Sequence, residues 1–158
     1  MISLIKKAIL VIAMVFAGCA GESVQKEQHE TKEPAEEIAA KIGLTDYVEV
    51  KSRVVKGAFF QSEDVDAVAT VFQSAKEGDA NLVGVFISDD TENVIAHLRT
   101  YLINLKNEMQ YSHPDQVFKI SNAVIESDDR MIILVVAENI EGSKSAARSV
   151  LGIEGGKK

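Results

Sequence analysis

The amino-acid sequence predicts an α+β fold: a roughly four-stranded, mainly antiparallel sheet with helices packed on one face. Three observations carry that prediction. Two β-rich runs, "AVATVFQS" from Ala67 and "NLVGVFIS" from Asn81, flank "AKEGDA", whose Gly78-Asp79 pair is turn chemistry, so they read as a hairpin. A second pair, "KISNAVIES" and "RMIILVVAE", brackets "SDDR" in the same way. Between the pairs lies the most regular amphipathic stretch of the chain, "DDTENVIAHLRTYLINLKNEMQY". Helix, two strands, long helix, two strands, helix is an order that favours hairpins over parallel crossovers.

The first helix is expected from Pro34. In "EPAEEIAAKIG" a proline occupies the first turn, acids follow it, Gly43 lies past the end, and Ile38 and Ile42 share a face. The next segment, "LTDYVEVKSRVVKGAFFQSEDVD", holds Leu44, Tyr47, Val48, Val54, Val55, Phe59 and Phe60 without a clean period, and reads as turns and short helix. In the long helix Val94, Ile95, Leu98, Tyr101, Leu102, Leu105 and Met109 fall within a stripe about 120° wide. Asp89 or Asp90 can cap its start, and His113-Pro114 stops it. Met131 to Ala137 is apolar throughout, as an interior strand covered on both faces would be. The face away from the helices is expected to be covered by the irregular segment Leu44–Phe60. "EGSKSAARSVLG" reads as a last short helix, and residues 152–158 as a disordered tail. The two strand-strand-helix units hint at duplication, but no residue-level repeat accompanies them.

The N-terminus predicts where the protein resides. Lys6 and Lys7 form a positive start, "AILVIAMVF" an apolar core and "AG" a small-residue processing site, the three parts of an export signal. Nine apolar residues are too few to span a bilayer, which takes ~20. The only cysteine, Cys19, follows directly. "Phe16-Ala17-Gly18-Cys19" resembles the lipobox of bacterial lipoproteins, with Phe16 where leucine is usual. That resemblance implies that the thiol of Cys19 receives a diacylglycerol and that the chain is cut between Gly18 and Cys19. Two or more acyl chains anchor stably, whereas one binds reversibly. Cys19 would then be a tether, leaving no thiol for disulfide, metal or catalysis.

After Cys19 the composition shifts. Ala20 to Glu33 has one sizeable apolar residue, Val24, among six charged ones, and reads as a flexible linker of ~20 Å reach. The expected organisation is a removed signal peptide (1–18), an acylated cysteine with a charged linker (19–33), one domain (34–151) and the tail. The net charge is −7; without Lys6 and Lys7 the 15 remaining basic residues face 24 acidic ones, a net of −9. So acidic a surface repels phosphate backbones, and nucleic acid is not expected as a partner.

Several residues of the domain also resemble a family of small lipoproteins, chiefly of Gram-positive bacteria, defined only as a domain of unknown function. The likeness covers about Glu33 to Leu151. It rests on "EEIAAKIG" after a charged linker, "Tyr111-Ser-His-Pro114-Asp-Gln-Val117" closing the long helix, and "Ser121-Asn122-Ala123-Val124-Ile125" followed by "ILVV". Relatives often carry a glutamate entering the second strand, where this chain has Asn81-Leu82. The resemblance implies a location and a fold, and no activity comes with it.

No residue pattern supplies a recognisable chemistry. His97 and His113, the histidines of the expected domain, have no Cys or His at metal-ligand spacing, so no metal or other cofactor is expected. The clusters Glu63-Asp64-Val65-Asp66, Asp89-Asp90-Thr91-Glu92 and Asp128-Asp129 lack the alternating-oxygen calcium loop. Helix capping accounts for the second and a hairpin turn for the third. Tryptophan is absent, which argues against a stacking platform for sugars or nucleotides. The expectation is a non-enzymatic binding or accessory module, lipid-anchored on the outer face of the cell membrane, presenting a sheet face or edge to an envelope protein partner. The alternative is a small envelope enzyme with a site assembled from scattered polar residues. An enzyme should show a closed polar pocket with convergent titratable groups, a binding module a shallow apolar surface.

Overall fold

The computed structural model describes residues 19–153. The expected signal peptide (1–18), with Gly18 of its processing site, and residues 154–158 of the expected tail lie outside the described residues. Helix α1 (Cys19–Lys41) leads to a short strand β1 (Tyr47–Glu49) and helix α2 (Ser52–Phe59). The hairpin β2 (Val68–Ser74) and β3 (Leu82–Ile87) precedes the long helix α3 (Thr91–Ser112). A 3-10 turn at Pro114–Gln116 and helix α4 (Val117–Ser121) follow, then β4 (Val124–Ser127), β5 (Met131–Val136) and α5 (Ile140–Val150).

The α+β class and the antiparallel hairpins are as expected, and the sheet has five strands in the order β1-β2-β3-β5-β4. Its centre is the β3–β5 pair, in register from Leu82↔Val136 to Ile87↔Met131. Every residue of β3 and all of β5 but Met131 is buried. Successive side chains point to opposite faces, so continuous burial requires cover on both. Helices supply it on each side, rather than on one. Over one face Ala35, Ile38 and Ala39 of α1 and Ala146 and Ala147 of α5 pack on Phe72, Val83, Val85, Ile133 and Val135. Their small side chains bring the two helices close to the strands and to each other.

The other face carries α2, α3 and α4: Val55, Phe59, Val94, Leu98 and Ile120 pack with Phe60 on Val71, Leu82, Phe86, Ile132, Leu134 and Val136. Phe59 stacks on Tyr101 at 4.0 Å between centroids, and Phe60 meets the Phe86 ring edge-on at 6.0 Å. Phe86 leans over Gly84, where a Cβ would come within 2.7 Å of its ring, so the strand has a glycine there. The segment Leu44–Phe60 is therefore no lid over one face: Leu44 and Tyr47 join the α1 side, and Val55, Phe59 and Phe60 lie under α3. The two strand-strand-helix units place α3 and α5 on opposite faces. Antiparallel hairpins related by a two-fold axis would carry both helices on one face, so the halves are not symmetric copies.

Local chemistry sets the ends of the elements. Asp90 caps α3 by accepting from the Asn93 N–H at 3.1 Å, and Asn139 caps α5 from the Gly142 N–H at 2.9 Å. The expected strand "KISNAVIES" is helical up to Ser121 and extended only from Val124. Residues 152–153 are ordered against α5, Ile153 donating to the Arg148 carbonyl at 3.0 Å.

The largest departure concerns residues 19–33. The stretch read as a flexible linker is the first two thirds of α1, and Pro34 lies inside the helix rather than at its start. Proline lacks the N–H that would reach the carbonyl four residues back, but tertiary contacts on either side of the defect hold the helix together. Thr31 is fully buried, and its hydroxyl meets that of Thr70 on β2 at 2.8 Å. Lys32 pairs with Glu49 of β1 at 3.0 Å. The folded unit thus extends N-terminally past the expected boundary at residue 34.

Two outcomes check this packing. Leu98→Asp, which puts a charge at a fully buried position, is expected to cost ~3–5 kcal/mol in denaturant unfolding. Thr31→Val strands the Thr70 hydroxyl and should cost ~1–2 kcal/mol, much of it recovered in the Thr31→Val/Thr70→Val double variant. Additive losses would mean that the N-terminal half of α1 is not docked on β2.

Candidate functional site

Cys19, the expected lipid attachment residue, is the first described residue and the N-terminus of α1. Among the described residues no helix is long and apolar enough to cross a membrane, and no group of His, Cys, Asp or Glu could hold a metal ion. The histidines are separated. His97 lies edge-on to Phe60 at 5.8 Å between centroids, with Nε2 3.2 Å from Glu63. His113 ends α3, its N–H donating to the Met109 carbonyl at 2.7 Å. The acidic clusters do structural work. Asp90 caps α3, and Asp128 accepts from the N–H groups of Arg130 and Met131 in the β4–β5 turn. Asp66, Asp89 and Asp128 gather at one end of the sheet, the end at which α1 enters.

At the opposite end lies a polar cleft of about 380 Å³, lined by the β2–β3 turn, the loop after α3 and Glu138. Gly78 has φ +76°, which only glycine adopts without strain, and the His113 ring packs where its Cβ would be, Nδ1 at 2.7 Å. Lys119 of α4 donates to Asp79 at 2.7 Å and to Asn81 at 2.9 Å, and Gln116 accepts the Ala80 N–H at 3.0 Å. Burial pushes the Asp79 carboxyl up, but hydrogen bonds from Lys119, Ser74 and the Asn81 N–H outweigh it and hold the pKa below the ordinary 3.8. Two of the three ammonium protons of Lys119 are thereby spent on the turn. The cluster is a clamp: it ties the β2–β3 turn to α4 and neutralises its own charges.

The second opening lies along the outer edge of β2. β1 covers only the C-terminal part of that edge, pairing with Phe72, Gln73 and Ser74, and the Val50 N–H adds one bond to the Val71 carbonyl at 2.8 Å. The chain then turns away into α2. Backbone groups two residues apart point the same way along a strand, so those of Ala69 also face outward, beyond the reach of β1. Here two adjoining grooves open. One, of about 400 Å³, is lined by Gln28, His29 and Lys32 of α1, Glu49 to Ser52, and Ala69 and Thr70. The other, of about 240 Å³, is more apolar and runs past Val55, Lys56, Phe60, Ala67 and Val68. Gln28 and Ser52 border both. Since α1 and α2 cover opposite faces, a groove lined by both must lie off the strand edge.

Sequence reasoning found His113 and the Gly78-Asp79 turn but not their meeting, nor the partnership of Asp79 with Lys119 forty residues on. It also missed the β2 edge, because a strand as short as β1 leaves no alternation to detect. No protein-family model matches the chain, and neither curated proteins nor solved structures yield a match.

The clamp has a pH signature. The folded-state pKa of Asp79 lies below its ordinary value, so its contribution is complete above pH 3.8 and is lost as pH falls through the lowered value. Below pH 3.8 wild type should lose stability more steeply than Asp79→Asn in denaturant titrations. Parallel pH profiles for the two proteins would show that the charge of Asp79 contributes nothing to stability.

Proposed function

We propose that this chain is a lipid-tethered binding module of the bacterial cell surface. In this reading Cys19 is acylated, the protein sits on the outer face of the cell membrane, and an envelope protein docks in the groove beside β2. One observation carries the docking part: an open strand edge flanked by two helices, with backbone groups at Ala69 that have no strand partner among the described residues, and an apolar continuation over Val55 and Phe60. Helices cover both sheet faces, so a partner reaches the sheet at an edge. The tether supports the same choice. Cys19 begins the helix whose Gln28, His29 and Lys32 wall the groove, and nine residues of helix place Gln28 about 14 Å from Cys19 along the axis. A docked helix holds the groove at a defined height, which a flexible linker would not. The alternative, a small envelope enzyme, draws on the polar cleft around His113 and Lys119; because Asp79 and Asn81 engage Lys119 there, the groove carries the reading.

In cells fed an alkyne-bearing fatty acid, wild type should take up the label and sediment with membranes, and Cys19→Ser should do neither. An unlabelled wild type would remove the tether from the reading. A photo-crosslinking residue at Ser52 should give a discrete adduct with an envelope protein in intact cells, and the same residue at exposed Ile103 on α3 should not. Equal adducts at both positions would overturn docking at the groove.

A further inference from the structure

The chemistry of the groove narrows what could fill it. Its lip is basic on a protein whose net charge is −7. Lys51, Arg53 and Lys56 are all exposed, and Lys51 and Lys56 line the two grooves directly. No ion pair among the described residues uses any of the three; the groove's one acid, Glu49, is already held by Lys32. Basic charge with no acidic partner among the described residues, beside an open strand edge, calls for an anionic occupant, and the strand edge for an extended one.

Resting on the binding reading above, we infer that this groove takes an extended, acidic segment of a partner protein as an added strand on the free edge of β2. The segment continues the line of β1, exchanging backbone hydrogen bonds with Ala69. Alternate side chains then fall on the two sides of the sheet plane: one set over Val55, Phe60 and Ala67, the other toward α1 at Gln28 and Thr70. Carboxylates on the segment meet Lys51, Arg53 and Lys56, which gives sign selectivity and a salt-sensitive on-rate. An anionic membrane surface is the competing occupant for a basic lip, and the structure disfavours it. The end of the sheet at which α1 enters, the end nearer Cys19, sets Asp66, Asp89, Asp90, Asp128 and Asp129 around the single Arg130, an excess of negative charge that anionic headgroups repel.

The test uses the whole chain held in nanodiscs of zwitterionic lipid. An unbiased display library of seven-residue segments is panned against it, and the enriched peptides are measured by fluorescence anisotropy. Enriched peptides should carry Asp or Glu at alternating positions and bind more weakly as salt rises. The Lys51→Glu/Lys56→Glu variant should weaken them about tenfold, the scale of losing close charge contacts. N-methylation of the central backbone nitrogen should weaken them as well, since it removes a strand donor. The two lysines are exposed, so the variant's thermal unfolding should match wild type. Neutral or basic enriched peptides, or binding indifferent to the double charge reversal, would overturn the inference. So would salt-sensitive binding of wild type to phosphatidylglycerol vesicles that the same double variant abolishes. A Ser52 adduct in cells together with any of these results would leave the binding module standing and remove only the acidic strand. Acidic peptides that bind as expected, without that adduct, would point the other way.

Discussion

The continuous burial of β3 and β5 is the constraint from which the rest of the architecture follows. A strand that is apolar at consecutive positions exposes half of its side chains whichever way it faces, unless both sides are covered. Burying one Val, Leu or Ile is worth ~1.5–3 kcal/mol, and these two strands place such residues on both faces. The α-helices of the described residues are therefore divided between the faces: α1 and α5 with their alanines on one side, α2, α3 and α4 with an aromatic cluster on the other. Once the faces are sealed, the sheet meets solvent only at its ends and edges. The three acidic clusters, the polar clamp and the β2 groove are all found there.

The same constraint explains α1. A sequence as polar as Gln28–Glu33 does not fold for its own sake. It is helical because Ala35, Ile38 and Ala39 must cover Phe72, Val83 and Val85, and a helix docked through those residues extends in register to Thr31. Thr31 then fits against Thr70 in a buried position, its hydroxyl bonded both to the Thr70 hydroxyl and to the Gln28 carbonyl. Pro34 removes one backbone hydrogen bond from the middle of this helix. Contacts on both sides of the proline hold the chain in line.

Opposite ends of the molecule use their charges differently. At the β2–β3 turn, charge is paired and partly shielded, Lys119 with Asp79. A partly buried pair of this kind holds a geometry more than it stabilises the fold. Around α2 the basic residues are exposed and have no acidic partner among the described residues, on a helix whose inner face, Val55 and Phe59, is committed to the core. The helix is thus anchored by one face and cationic on the other.

The sequence by itself determined the α+β class, both hairpins, the long helix with its stripe, and a cap at Asp89 or Asp90, of which the structure uses Asp90. Those features are local: β-rich runs, turn pairs and helical periodicity are written within a few residues of one another. It also indicated an interior strand at Met131–Ala137, since an unbroken apolar run has no exposed face. Its N-terminal signals point to a tether at Cys19, a reading that the described residues leave to experiment. Tertiary structure alone decided which face each helix covers, because an amphipathic stripe records that a helix packs and not on what. It alone recruited residues 28–33 into α1, where the gain comes from Thr70 and Glu49 rather than from the segment's own composition. The clamp and the groove belong to the same category. Asp79 and Lys119, or Gln28, Ser52 and Ala69, are unremarkable in the chain and become a site only when the strand order places them side by side.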